Sequence, residues 1–461
     1  MAYHLTMLKM NKKTFMRKPV FILLLNIIFV ITLFGQAKNG TSKYLSDRDL
    51  SFLKMLTKDV MESSRIYPGQ TISDEFGANN SGGVLIRPGG RDCYPAFWIR
   101  DYAMSLESGF VTKEEQKHML LLTASKQCNQ TWITNAGSMV PLGAIADHIR
   151  IDDSNPIYYP GTYDYIKQGE KTFGMVPPYS DQYFFIHMAY CFQKDTSFTN
   201  FLLEEINGIK LIDRLEMAYK VPPTRQDGVL VYTTDDFRGV DFGFRDVIKI
   251  TGDLCLPSIF KYRASLELVE LFKSINQSNK AKHYKAIAEK LKIEIPLVFS
   301  DDRGMLLAST GKSNQPDVWS TALAVYFGIL EGEQLNSACQ TLANAYKIGT
   351  LAYQGNIRHL LTSDDFNEST AWEYSLVKKN TYQNGAYWGT PVGWVCYAIA
   401  QVDADLAKKL ASEYIDELRM NDYRKGEGFD SPVECFHPTG NKQNPVYLTT
   451  VTCPYAVFKG K

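Results

Sequence analysis

From residue 47 to 65 the apolar side chains Leu50, Phe52, Leu53, Met55, Leu56, Val60 and Met61 recur at helical spacing against a charged opposite face. That pattern predicts an amphipathic helix. A long irregular stretch rich in Gly and Asn follows to Ile99, and a second helix is expected at once from Tyr102. The rhythm then repeats. Helical patterns over residues 113–126, 200–219, 281–299, 332–346 and 403–420 each lead into a long loop of Gly, Pro and aromatic residues. Each loop ends at another helix, near Asp181, Asp253, Val318, Val392 or Val446, and the connections out of those second helices are short and polar.

The alternation amounts to about twelve helices in roughly six pairs, with little room for a central sheet. If long loops always join odd to even helices, all of them emerge at the same end. The expected class is therefore all-α, an (α/α)6 toroid of six hairpins with its long loops on one face, and an open α-solenoid is the alternative closure. No fixed-period sequence repeat accompanies the pattern, so the familiar solenoid families are not indicated.

Composition narrows the partners. Lys+Arg and Asp+Glu both number 50, for a formal net charge of +0. That balance argues against nucleic acid or an anionic membrane surface. Aromatic residues make up 13% of the chain and gather in loops as well as helices, which suits weakly charged ligands such as sugars. At the N-terminus, Lys12, Lys13, Arg17 and Lys18 precede an apolar run from Val20 to Phe34 and then Gly35, Gln36 and Ala37. This reads as an export signal over residues 1–37, ahead of a single catalytic domain over 38–461 in a secreted or periplasmic protein. The run is short for a membrane span, so no stable insertion is expected after cleavage. Of the eight cysteines, most read as buried thiols, with Cys435 and Cys453 the pair to test for a bridge.

The unusual residues lie in the six long loops. Asp241 is the most suggestive, set among Arg238, Phe242, Phe244, Arg245 and Asp246. The histidines form no HExxH or closely paired set, and His437 reads as a loop hydrogen-bond partner. No phosphate loop or nucleophile elbow is present, and no cofactor or metal ligand set is readable. What remains is a mouth of carboxylates, arginines and indoles. Hydrolysis of a glycosidic bond needs such a mouth, with one carboxyl protonated to serve the leaving oxygen and one ionised to act on water or the anomeric carbon. Candidates are Asp101, Asp181, Asp241, Asp317, Glu373 and Glu434. Asp101 follows Arg100 at a helix start, which favours the ionised form and a hydrogen bond to sugar, or equally a helix cap. Asp181 and Asp317 share the capping alternative. Glu434, between Pro432 and Pro438, has no such duty in view and is the better base.

Four motifs in order resemble those of the six-hairpin glycosidases, most of all the clan of trehalases and processing α-glucosidases. Pro88, Gly89, Gly90 and Arg91, followed by Trp98, Ile99, Arg100 and Asp101, are similar to the first trehalase signature. Trp388, Gly389, Thr390, Pro391, Val392, Gly393 and Trp394 are similar to the second. The run from Asp241 to Arg245 resembles the acid motif, and that from Glu434 to Gly440 the base motif. The resemblance implies an inverting exo-α-glycosidase, with Asp241 as general acid and Glu434 as the base on water. Trp98, Arg100, Asp101, Trp388 and Trp394 would bind the terminal sugar, with Asp181 and Arg245 as further contacts to an oligosaccharide or glycoside. Gly389 stands where trehalases usually carry an acid, so the substrate is read as an α-glucosidic or related α-linked sugar. A carbohydrate-binding protein without chemistry and a polysaccharide lyase on the same toroid are the competing readings.

Overall fold

The computed structural model describes residues 43–73, 75–90, 94–169, 176–194, 199–226, 228–235 and 244–460. The export signal, Arg91, Arg238 and Asp241 lie outside the described residues. Twelve α-helices occur among those described. They are α1 (Asp47–Ser64), α2 (Ile99–Ser105), α3 (Lys113–Ser125), α4 (Tyr179–Lys194), α5 (Leu211–Tyr219), α6 (Cys255–Ser274), α7 (Ser278–Phe299), α8 (Val318–Tyr326), α9 (Gly332–Lys347), α10 (Val392–Ile399), α11 (Ala404–Met420) and α12 (Leu448–Phe458). None is long and apolar enough to cross a membrane.

Sequence pattern decides which helices go inside. A helix that is apolar all round must be covered on every side, whereas an amphipathic one lies against the core. Seven of the eight residues of the apolar α10 are buried, while α7 buries only six of its 22. The even-numbered helices pack in succession, α2 on α4, α4 on α6, α6 on α8, α8 on α10 and α10 on α12, and α12 returns to α2. Side chains cap the starts of three of the odd helices, α1, α3 and α11. Ser46 accepts from the Asp49 amide at 3.2 Å ahead of α1, and Thr112 with Glu115 forms a capping box at α3.

Among the described residues the all-α class is corrected by strands in seven small antiparallel sheets, six of them in the long connections. Two of them build the site. In the first, β1 (Ala96–Trp98) pairs with β2 (His148–Arg150), and β2 with β3 (Pro156–Ile157), setting Trp98 opposite His148. The second has five strands in the order β4 (Ala352–Tyr353), β5 (Asn356–Ile357), β6 (Tyr387–Trp388), β7 (Val433–Phe436) and β8 (Lys442–Pro445). Strands of two to four residues are too short to show a period of two, which is why the hydrophobic pattern hides them.

Cys435 and Cys453 are free thiols rather than a bridged pair. Cys435 faces Gln443 on the neighbouring strand, and Cys453 faces the Met104 carbonyl at 3.6 Å.

Candidate active site

Glu434 is the residue around which the site is built. It lies in β7, whose register with β8 pairs Val433 with Pro445 and Cys435 with Gln443. Glu434 therefore faces Asn444 across the ladder. The Asn444 amide donates to Glu434 Oε2, the Tyr94 hydroxyl donates to the same oxygen at 2.9 Å, and the Tyr382 hydroxyl donates to Oε1 at 3.3 Å. Burial holds the hydroxyls of Tyr94 and Tyr382 far above their ordinary range, so both stay protonated as donors.

The backbone at these donors is strained. Tyr94, Tyr382 and Asn444 have φ of 58°, 45° and 47°, and nearby Phe244 has 59°. Left-handed backbone costs a non-glycine residue roughly 1–2 kcal/mol. Such strain persists where the surroundings over-determine it, and it clusters at functional sites.

Asp101 sits in the first turn of α2 and is not its cap; Trp98 holds that position. The Tyr447 hydroxyl donates to Asp101 Oδ1 at 2.7 Å and lies within hydrogen-bond reach of Glu434. Burial, opposed by Arg100 and Tyr447, pushes the Asp101 carboxyl up to about 6. Desolvation outweighs the neighbouring cation, so Asp101 titrates above the ordinary carboxylate range, yet it is still mostly ionised at neutral pH, as its helix-start position led one to expect. Glu434 is pushed up to about 7, by burial first, against the Asn444 hydrogen bond and with the Asp101 charge adding to the rise.

Arg100 extends the cluster. Its Nη2 donates to Asp147 Oδ1 at 2.9 Å, its Nε lies 3.7 Å from Asp181, and its guanidinium stands 5.5 Å from the Phe244 ring centre. Asp147 also holds His148 Nδ1 at 2.8 Å, and the His148 ring stacks on Trp98 at 4.3 Å and 18°. A continuous set of contacts therefore orients Trp98 and Arg100 together. Phe244 touches Trp319, Trp388 and Tyr447 at 6.0, 5.4 and 6.5 Å. Five of the six long connections supply a member of this network, and Trp319 comes from α8.

Arg245 and Asp317 form a buried ion pair in which the single nitrogen Nη2 donates to both carboxylate oxygens at 2.7 Å. Asp317 also caps α8 through the Trp319 amide, and Arg245 lies over Trp372 at 5.1 Å. Trp388 is fully buried against Tyr382 at 5.4 Å. Trp394 reaches Trp319 at 6.3 Å and also lines a cavity with Met104, His187, Arg263 and Tyr326. Glu373 stands apart, bonded to the Ser313 amide. His437 pairs with Thr439 in its own loop.

Sequence reasoning passed over Tyr94, Asp147, His148, Tyr382, Asn444 and Tyr447. Loop aromatics were the available signal, but no spacing along the chain joins residues so far apart. Gly389 has a steric reason. A Cβ there would come within 2.5 Å of Thr450 Cγ2 on α12, so no acidic side chain fits.

A helical assembly with small sheets in its long connections, closed over a carboxylate-lined site, is the class this architecture defines. Among solved structures it is similar to the crystal structure of a GH78 family rhamnosidase of Bacillus sp. GL1, with a TM-score of 0.51 and 11% identity. The match covers 89% of this chain and 34% of that one, so this chain spans about a third of the length of the rhamnosidase. At that identity the likeness is one of fold. The sequence matches no family model and no curated protein.

Proposed function

We propose that this protein is a glycoside hydrolase that removes an α-linked terminal sugar, α-glucosidic or closely related, from the non-reducing end of an oligosaccharide or glycoside. The observation that carries the reading is Glu434: a buried carboxyl pushed up to about 7, held by donors from three chain segments on strained backbone. A group that titrates near neutrality is suited to proton transfer. The fold shared with a structure described as a rhamnosidase supports the same chemical class.

In this mechanism ionised Glu434 takes a proton from water as the water oxygen attacks the anomeric carbon. Asp241, on the connection that carries Phe244 and Arg245, gives its proton to the departing glycosidic oxygen. The C–O bond breaks as the new one forms, so an α-linkage yields the β-anomer. Trp98, Arg100 and Asp101 bind the terminal sugar, with Asp181, Arg245, Trp388 and Trp394 shaping the walls.

The test is a screen of purified protein against aryl α-glucosides, α-mannosides, α-rhamnosides and their β-counterparts, with proton NMR of the first-formed sugar. Glu434→Gln is expected to lower kcat roughly a hundredfold or more, the scale of a missing general base. Near-normal turnover in that variant, or retention of configuration, would remove the assignment.

A further inference from the structure

A second pocket lies on the connection between α3 and α4, away from Glu434. It has a volume of about 420 Å3 and is lined by Lys126, Asn129, Gln130, Trp132, Tyr158 and Tyr165, among others. That volume falls within the roughly 300–1,000 Å3 of small-molecule sites. Trp132 stacks on Tyr165 at 5.2 Å and 30°, with Tyr158 edge-on to Trp132 at 6.4 Å. Tyr158 is itself anchored, its hydroxyl donating to the Lys126 carbonyl at 2.9 Å. Asn129 and Gln130, both exposed, and Lys126 add polar groups to the lining.

The aromatic side is partly open to solvent. Trp132 belongs to a two-residue strand paired with Met139–Val140, and Tyr165 remains 38% exposed. A rigid aromatic face beside amides and one cation matches a pyranose ring, whose C–H face is apolar and whose hydroxyls lie in its plane. The same connection joins this pocket to the active site. Tyr163, two residues before Tyr165, packs edge-on to Trp98 at 5.9 Å, and β2 and β3 connect Asp147 and His148 to Tyr158.

We propose that the Trp132 pocket is a second carbohydrate-binding site, which holds a sugar unit of a longer glycan chain while another part of the chain occupies the Glu434 site. This rests on the hydrolase reading for its ligand class, but it makes a separate claim about binding.

The experiment uses the full-length protein. Electrophoretic retardation is measured in gels containing soluble glycogen, yeast α-mannan or rhamnogalacturonan, alongside turnover of the aryl α-glycoside found active in the screen and of the retarding polysaccharide. Trp132→Ala is expected to abolish retardation and lower polysaccharide turnover about tenfold, the usual weight of an aromatic anchor, with aryl-glycoside kcat/KM unchanged within about twofold. The exposed pair Asn129→Ala with Gln130→Ala is expected to weaken retardation in the same direction without touching the fold. Unchanged retardation in Trp132→Ala overturns the proposal, and so does a wild-type protein that hydrolyses glycosides but is retarded by no polysaccharide. Dissociation of an oligomer in Trp132→Ala, with retardation intact, overturns it in favour of self-association. Retardation that depends on Trp132 in a protein hydrolysing no glycoside upholds the pocket and rejects the hydrolase reading.

Discussion

Asp101 and Glu434, one from the second helix and one from the last long connection, meet at the hydroxyl of Tyr447. That hydroxyl donates to Asp101 at 2.7 Å and lies within reach of Glu434. The Asp101 charge adds to the rise of Glu434, and the hydroxyl opposes the rise of both carboxyls. Their titrations are therefore linked through one side chain.

Removing the hydroxyl tests this link. A donor to a carboxylate favours the ionised form, so its loss raises the carboxyl pKa. Tyr447→Phe is expected to move the acidic limb of the kcat/KM profile upward by about one pH unit, equivalent to ~1.4 kcal/mol. An unmoved limb would show that Tyr447 does not couple the pair.

The same burial has a cost in stability. Glu434 rises from an ordinary 4.5 to about 7 in the fold. Between those values the folded chain keeps a proton that the unfolded chain releases, so stability falls as pH rises through that window and the loss is complete above it. Glu434→Gln lacks this titration. Its Tm relative to wild type is expected to be higher at pH 8 than at pH 4.5, and a difference independent of pH would contradict the buried-carboxyl account.

Arg245 and Asp317 give a different expectation. Breaking a buried ion pair from one side leaves the other charge uncompensated, at about 3–5 kcal/mol. Asp317→Asn, which also weakens the cap of α8, is expected to lower the unfolding free energy obtained from denaturant titration by that amount. A loss below 1 kcal/mol would mean that water or another group replaces the pair.

Gly389 is held by contact rather than by backbone angle. Gly389→Ala drives its Cβ into Thr450 Cγ2 at 2.5 Å and is expected to destabilise by about 1–3 kcal/mol, the range for overpacking. Thermal unfolding checks this, and Thr450→Ala in the same chain is expected to restore part of the loss.

Asp241→Asn is expected to abolish turnover while sugar binding persists, because a general acid acts mainly in the transition state. Calorimetric titration with the product sugar, set beside kcat, separates the two. Wild-type-like kcat would exclude Asp241 as the acid.

The order of helices was legible because hydrophobic periodicity is a local property. Residues of α9 and α11 announce a buried stripe within each helix, and the apolar α10 and largely apolar α8 announce an interior place. The sheets were not legible, since Tyr387–Trp388 or Asn356–Ile357 is too short for any period to appear. Of the site, Glu434, Arg100, Asp101 and Trp98 stood out by residue type and motif, whereas their fixing partners did not.

By itself the sequence determined the succession of helices, their inner and outer faces and the carboxylates available for chemistry, because each depends on neighbours within a few residues. Only the tertiary structure decided that Tyr94, Tyr382 and Asn444 converge on Glu434 and that Asp101 reaches Tyr447. Those contacts join distant segments, and the pKa of a buried carboxyl is set by the solvent and donors that such contacts exclude or supply.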